Sequence, residues 1–203
     1  MCPGCGVSEF DSSEALYSYI LRPENNLTQE GQANGYNIRV AYRPTDLLVH
    51  QELDGERFDI SRLTELRKKY ADYYYFVLGL SKHSKEILNN VGAGSEQYQN
   101  LVQTLSFRMD NFVTLVTSAR DTLSLAGFIF DRTYGFSPST DLLFVFERDN
   151  TIEGDFLDFQ LSEFGLGIGR QRFRFSKEDL DGAPYLNFEK IATTASAGLR
   201  PGD

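Results

Sequence analysis

The chain has 203 residues, of which 41% are apolar and 24% are charged, and its formal net charge is −9 at pH 7. Nucleic-acid binding requires a basic surface that meets the phosphates, so this charge argues against a nucleic-acid partner. No stretch reaches the roughly 18 apolar residues of a membrane-spanning helix, and no apolar segment typical of a signal peptide follows Met1. The length fits one globular domain with a substantial core.

The first part of the chain is predicted to hold a tail, a helix and a hairpin. Residues 1–10 include Pro, Gly and small residues without periodicity, which is typical of a flexible tether. Ser12 or Ser13 can cap a short helix that ends before Pro23. The pair Asn34-Gly35 between two extended segments is the strongest short-range signal for a β-hairpin.

Three more helices are predicted farther along the chain, with Thr45, Asp59 and Ser95 as their N-caps. The segment "YYYFVLGLSK" lies between the second and the third of them, and both of its alternating faces are apolar. Such a segment is typical of a central strand that is covered on both sides.

From about residue 112 the pattern changes to short strands. A polar turn at 118–121 joins "FVTLVT" to "TLSLAGFIF", and the strands "DLLFVFER", "DFLDFQLSEF" and "RQRFRFS" follow. We therefore expect an α+β fold with a helix-bearing N-terminal half packed with an antiparallel β-sheet and a β-sandwich-like C-terminal half. The expected domain covers 11–191, and 192–203 is expected to be a disordered tail.

The motif "MCPGCG" contains the only two cysteines, Cys2 and Cys5. A redox pair would need a preceding strand and a following helix, and neither is predicted here. A structural zinc site needs four ligands, and the unpaired His50 and His83 do not complete one. Bacterial lipoproteins are cleaved just before a lipid-modified cysteine that a flexible tether follows. Cys2 is therefore the candidate lipid-attachment residue, and an unmodified cytosolic start is the alternative.

Several segments resemble a family of uncharacterised Bacteroidetes-type lipoproteins. They are "YNIRVAYRPTDLLVHQEL", "YYYFVLGL", "DRTYGFSPSTDLLFVFERD" and "RQRFRFSKEDL", and together they extend over roughly residues 10–182. The resemblance implies a protein of the bacterial cell envelope, lipid-anchored on the periplasmic or surface side. It implies no activity and no functional residues, because the family has none assigned.

Two loops resemble ligand-binding motifs. The segment "GLGIGR" (165–170) has the spacing G-x-G-x-G and precedes a strand, whereas a dinucleotide-binding loop has G-x-G-x-x-G and precedes a helix. A turn between two strands is the better interpretation. The acidic loop "DNTIEGD" lacks the glutamate and the flanking helices of an EF-hand. A weaker calcium site formed by Asp149, Glu153 and Asp155 competes with a solvated acidic loop.

Catalytic patterns are weak. There is no G-x-S-x-G nucleophile motif, and a histidine base would have to be His50 or His83. Any two of the 29 acidic residues could converge in a glycosidase, so no pair can be named. The aromatic run 73–76 could stack on sugars, but strand alternation would divide it between two faces, which favours core packing.

We therefore expect a non-enzymatic cell-envelope lipoprotein that acts as a binding or assembly module. Its partners would be other envelope proteins, and it would need no cofactor and no metal. The alternatives are a carboxylate-based enzyme that acts on carbohydrate and a cytosolic component of a protein assembly.

Overall fold

The structure of the protein is a computed structural model, and it describes residues 9–53, 59–133, 137–149 and 154–191. The helices of five or more residues in these ranges are α1 (Ser13–Ile20), α2 (Thr45–Leu53), α3 (Ile60–Ala71), α4 (Glu96–Phe107) and α5 (Lys177–Asp181). The strands are β1 (Glu9–Phe10), β2 (Thr28–Ala33), β3 (Tyr36–Tyr42), β4 (Tyr73–Lys82), β5 (Lys85–Glu86), β6 (Val113–Thr117), β7 (Thr122–Leu123), β8 (Leu125–Phe130), β9 (Thr140–Glu147), β10 (Phe156–Leu161), β11 (Gln171–Ser176) and β12 (Tyr185–Leu186). The α+β class that the sequence predicts is confirmed.

A large antiparallel sheet has the strand order β2-β3-β4-β9-β8, with the short strand β5 paired to one end of β4. The predicted hairpin joins β2 to β3. Asn34 (φ 50°) and Gly35 (φ 75°) both adopt the left-handed backbone conformation that a two-residue hairpin turn of this type requires. The predicted central strand is β4, which pairs with β3 on one side and β9 on the other.

A smaller antiparallel sheet has the order β11-β10-β6-β7. The segment "TLSLAGFIF", expected to be one strand, is divided at Ser124 between β7 of the small sheet and β8 of the large sheet. Leu123 and Leu125 on either side of Ser124 both pack in the same core. The alternation of apolar and polar residues therefore continues through Ser124 and does not show where one strand ends and the next begins.

The two sheets pack face to face through aromatic side chains. Phe76 of β4 lies 5.0 Å from Phe175 of β11 and 5.8 Å from Phe159 of β10, measured between ring centroids. Phe144 and Phe146 of β9 also contact Phe159, at 5.8 and 6.3 Å. The sandwich thus takes strands from both halves of the chain, because β2, β3 and β4 belong to the same large sheet as β8 and β9.

The helix starts follow from capping side chains. Ser12, Asp59 and Ser95 accept hydrogen bonds from backbone N–H groups in the first turns of α1, α3 and α4, as predicted. Thr45 was expected to cap α2 but is its first helical residue. The carbonyl of Pro44 instead accepts the N–H of Leu47 at 3.0 Å, so the helix begins one residue earlier than expected.

The two ends of the described chain meet in a parallel pair of short strands. Residues 1–10 were expected to form a tether, but Glu9 and Phe10 form β1 and pair with Tyr185 and Leu186 of β12. The rest of that tether and the expected tail at 192–203 lie outside the described residues.

The buried carboxylate of Asp46 holds β12 against the helices. It accepts two hydrogen bonds from Arg67 of α3, at 2.8 and 2.6 Å, and one from the backbone N–H of Leu186, at 2.8 Å. One carboxylate therefore joins α2, α3 and the last described strand, and its three acceptor contacts compensate for its burial.

Candidate functional site

The outer face of the large sheet, opposite the small sheet, carries an apolar floor. Alternate residues of β4 and β9 point there, and these are Tyr73, Tyr75, Leu143 and Val145. Tyr74 and Phe76 point the other way into the core, where both are buried. The strand alternation that the sequence predicts for the aromatic run is therefore confirmed, and half of the run faces outward.

Helices α2 and α3 form a wall beside this floor. The groove between the helices and strands β8 and β9 encloses about 760 Å³. We call it the tyrosine groove, defined by Tyr70 of the wall and by Tyr73, Tyr75, Leu143 and Val145 of the floor. It is open to solvent, so it suits part of a partner's surface better than a fully enclosed small molecule.

Tyr75 contacts both of the other tyrosines. The ring of Tyr75 lies 6.0 Å from that of Tyr70, edge-on, and 6.2 Å from that of Tyr73. Burial raises the pKa of Tyr75 and of Tyr70 above the usual value for tyrosine. The phenol groups of Tyr70 and Tyr75 are therefore neutral at physiological pH. Tyr75 is 4% exposed and forms the base of the groove, whereas the half-buried Tyr70 and Tyr73 present ring surface to it.

One carboxylate, that of Glu52, lies among the described residues that line the groove. It accepts hydrogen bonds from the hydroxyl of Tyr70 and from the ammonium group of Lys69, the latter at 2.6 Å, and it pairs with Arg62 at 3.3 Å. The hydrogen bond from Lys69 and that from Tyr70 lower the pKa of Glu52. Glu52 is thus held in the ionised form and is a poor general acid.

Strand β8 lines one side of the groove and contributes an exposed apolar side chain. Ile129 is an apolar side chain with 60% of its surface exposed, and it lines the groove. Gly127, two residues before it, faces empty space: a Cβ atom added there would meet no atom within 4 Å. The floor continues toward the other end of the sheet as a polar surface, where Arg39 and Asp141 face each other at 3.9 Å above Gly79.

The residues nominated from the sequence do not form a site within the described ranges. Cys2 and Cys5 lie outside those ranges, and so does Glu153 of the acidic loop. His50 lies on α2, and His83 lies on the turn between β4 and β5 with its Nδ1 atom 3.4 Å from Asn90. Over the described part of the chain, no three His, Cys, Asp or Glu side chains converge as metal ligands would.

Sequence reasoning missed the residues that build the groove wall. Glu52, Lys69 and Tyr70 belong to two helices, and their meeting depends on how those helices pack. The aromatic run 73–76, which includes Tyr73 and Tyr75, was weighed as a stacking surface, and core packing was favoured for it. The segment 165–170 does connect two strands, β10 and β11, as predicted.

No helix in the described ranges has both the length and the apolar character needed to cross a bilayer. No protein-family model matches the chain, and no curated protein is similar to it. A crystal structure of a novel protein of unknown function from Burkholderia pseudomallei K96243 is similar over 92% of this chain and 91% of that chain, with 10% sequence identity and a TM-score of 0.39. At this level the similarity carries no information about function.

Proposed function

We propose that the protein is a non-catalytic binding module and that the tyrosine groove is where a partner protein docks. The observation that carries this proposal is the open apolar floor of the groove beside Ile129, which is 60% exposed. Exposed apolar surface with aromatic side chains is typical of the centres of protein interfaces. The occupant is an uncharged, apolar segment of the partner, because the charged groups of the wall already pair with one another.

The chemistry of the groove favours binding over carboxylate catalysis. A glycosidase of the common type needs two carboxyl groups about 5–9.5 Å apart, one of which is an acid with a raised pKa. Glu52 has a lowered pKa and is hydrogen-bonded to Lys69 and Tyr70. The described lining of the groove offers no second carboxylate for such a pair.

A site-specific photo-cross-linking experiment tests the docking proposal. A photoreactive benzophenone derivative of phenylalanine replaces Tyr73 in the groove, and the protein is irradiated in its native host. We expect a discrete adduct whose mass exceeds that of the chain. The same probe at Phe107, which is 77% exposed on the last turn of α4, provides the control and should give no such adduct.

Filling the groove should abolish the adduct. Gly127→Val places a side chain in empty space at a strand position whose φ is outside the left-handed region, so the fold should tolerate it. We expect the yield from the Tyr73 probe to fall at least about tenfold, since a steric block of that kind costs more than about 1.4 kcal/mol of binding. Gly92→Val, in equally open space but not in the groove, is the matched control. An unchanged adduct in Gly127→Val, or the same adduct from Phe107, contradicts the proposal.

The cellular setting that we propose is the bacterial envelope, with the module lipid-anchored through Cys2 and its partners among envelope proteins. The support is the N-terminal "MCPGCG" motif and the resemblance to envelope lipoproteins. Mass spectrometry of the N-terminal peptide from the native host tests it. We expect Met1 to be absent and Cys2 to carry acyl chains. An unmodified Met1-Cys2 start contradicts the anchor and favours a cytosolic protein assembly.

A further inference from the structure

The glycine-rich loop between β10 and β11 wraps around a carboxylate of its own chain. Oε1 of Glu163 accepts the backbone N–H groups of Gly165, Leu166 and Gly167 at 2.7, 2.7 and 2.8 Å. Oε2 accepts the N–H of Gly169 at 2.8 Å. Four backbone donors thus converge on the two oxygens of one anionic group.

The alternation of the sequence produces this arrangement. Gly165, Gly167 and Gly169 have φ angles of 107°, 70° and 64°, a region that residues with a side chain rarely adopt. The intervening Leu166 and Ile168 are each 4% exposed, so their side chains fix the loop to the core. Alternating left-handed glycines turn successive N–H groups to one side, which is the geometry of a backbone anion nest.

The carboxylate of Glu163 is ionised in this position. Burial raises its pKa, but the backbone hydrogen bonds outweigh burial, and the net effect lowers the pKa below the usual value for glutamate. The negative charge also contributes to the raised pKa of Tyr36 at the start of β3, after the larger effect of burial. Hydrogen bonds to an ionised acceptor are stronger than those to a neutral one.

The loop in turn holds the β2–β3 hairpin. The side-chain amide of Asn34 donates a hydrogen bond to the carbonyl of Leu166 at 2.7 Å. A Cβ atom at Gly167 would lie 2.8 Å from that same amide nitrogen. The tip of the β2–β3 hairpin therefore packs closely on the backbone of the loop, and this contact requires a glycine at position 167.

We propose that the loop 163–169 is an anion-binding site for a carboxylate and that Glu163 is its built-in ligand. A carboxylate presents two oxygen atoms, and the loop directs three N–H groups to one of them and one N–H group to the other. Intramolecular attachment keeps the site filled, because a group on a short tether has an effective concentration in the millimolar range or above. A chain without the Glu163 carboxylate binds a free carboxylate at the same four donors. This inference is independent of the tyrosine groove.

Chemical rescue tests the site. In Glu163→Ala we expect the thermal midpoint to fall by about 5 °C and to recover by about 2 °C in about 0.2 M sodium acetate, relative to sodium chloride at equal ionic strength. The amide resonances of Gly165, Leu166, Gly167 and Gly169 should shift in the variant and move back toward their wild-type positions with acetate.

Two variants serve as controls. Glu178→Ala removes an exposed carboxylate on α5 with the same change of charge and should show no specific response to acetate. Glu163→Gln fills the site with a neutral amide and should lose stability without rescue, because acetate cannot enter. An equal acetate effect in Glu178→Ala, or four loop resonances that do not respond in Glu163→Ala, overturns the proposal.

Discussion

Replacing Phe76 with alanine is expected to lower the free energy of unfolding by about 3–5 kcal/mol. Phe76 is fully buried, and its ring contacts aromatic rings on both sheets. These rings are Tyr42 at 5.6 Å, Phe146 at 6.4 Å, Phe159 at 5.8 Å and Phe175 at 5.0 Å. The truncation leaves a cavity between the two sheets. Backbone hydrogen bonds fix the strands of each sheet, so the sheets can move only slightly to fill the cavity.

Phe107→Ala is the matched control, because it makes the same chemical change at a ring that is 77% exposed. We expect this variant to change the free energy of unfolding by less than about 0.5 kcal/mol. Urea unfolding of both variants, followed by far-ultraviolet circular dichroism, measures the difference. Similar losses in the two variants would show that Phe76 is not part of a packed interface between the sheets.

The substitution Asp46→Asn is expected to cost about 1–2 kcal/mol. It weakens the charge-assisted hydrogen bonds that the buried carboxylate accepts from Arg67, whose side chain is itself 39% exposed and can be partly solvated. The amide oxygen of asparagine can take the place of Oδ2, which accepts from the N–H of Leu186 and from one NH₂ group of Arg67. The NH₂ group of asparagine then replaces Oδ1 and opposes the Nε–H donor of Arg67. Arg67 also lies over the ring of Phe188, so its displacement disturbs the end of the described chain as well.

Asp110→Asn, at an exposed position next to α4, is the control for the change of charge. We expect it to alter stability by less than about 0.5 kcal/mol. Hydrogen exchange adds a local measurement. The amide of Leu186 should exchange faster in Asp46→Asn, because a neutral amide oxygen accepts its N–H more weakly than a carboxylate does, and at the wild-type rate in Asp110→Asn. Equal unfolding midpoints for the two variants would refute the structural role of Asp46.

Local signals in the sequence were sufficient for much of the fold. The turn at Asn34-Gly35 and the caps at Ser12, Asp59 and Ser95 depend on residues within three positions of one another, and all are found as expected. The two apolar faces of β4 correctly indicated a central strand. The division of "TLSLAGFIF" between two sheets was not predicted, because a single polar residue at Ser124 fits the alternation of one continuous strand as well as a break between two.

The candidate sites depend on contacts that spacing does not encode. Glu52 meets Tyr70 only because α2 packs on α3, and the outward residues of β4 become a floor only beside β9. The spacing of the glycines in 165–169 was recognised from the sequence, but the carboxylate that their N–H groups bind was not. Glu163 is two residues before the motif, and its role depends on left-handed φ angles that the letters alone do not give.

The parallel pairing of β1 with β12 has a consequence for folding kinetics. Glu9 is paired with Tyr185 and Phe10 with Leu186, so two strands of two residues each close almost the whole described chain into a ring. Closing so long a loop costs much entropy for few hydrogen bonds, which places this step late in folding. The pair of β1 and β12 should be the first to separate when the two ends of the chain are pulled apart, well before the two packed sheets unfold.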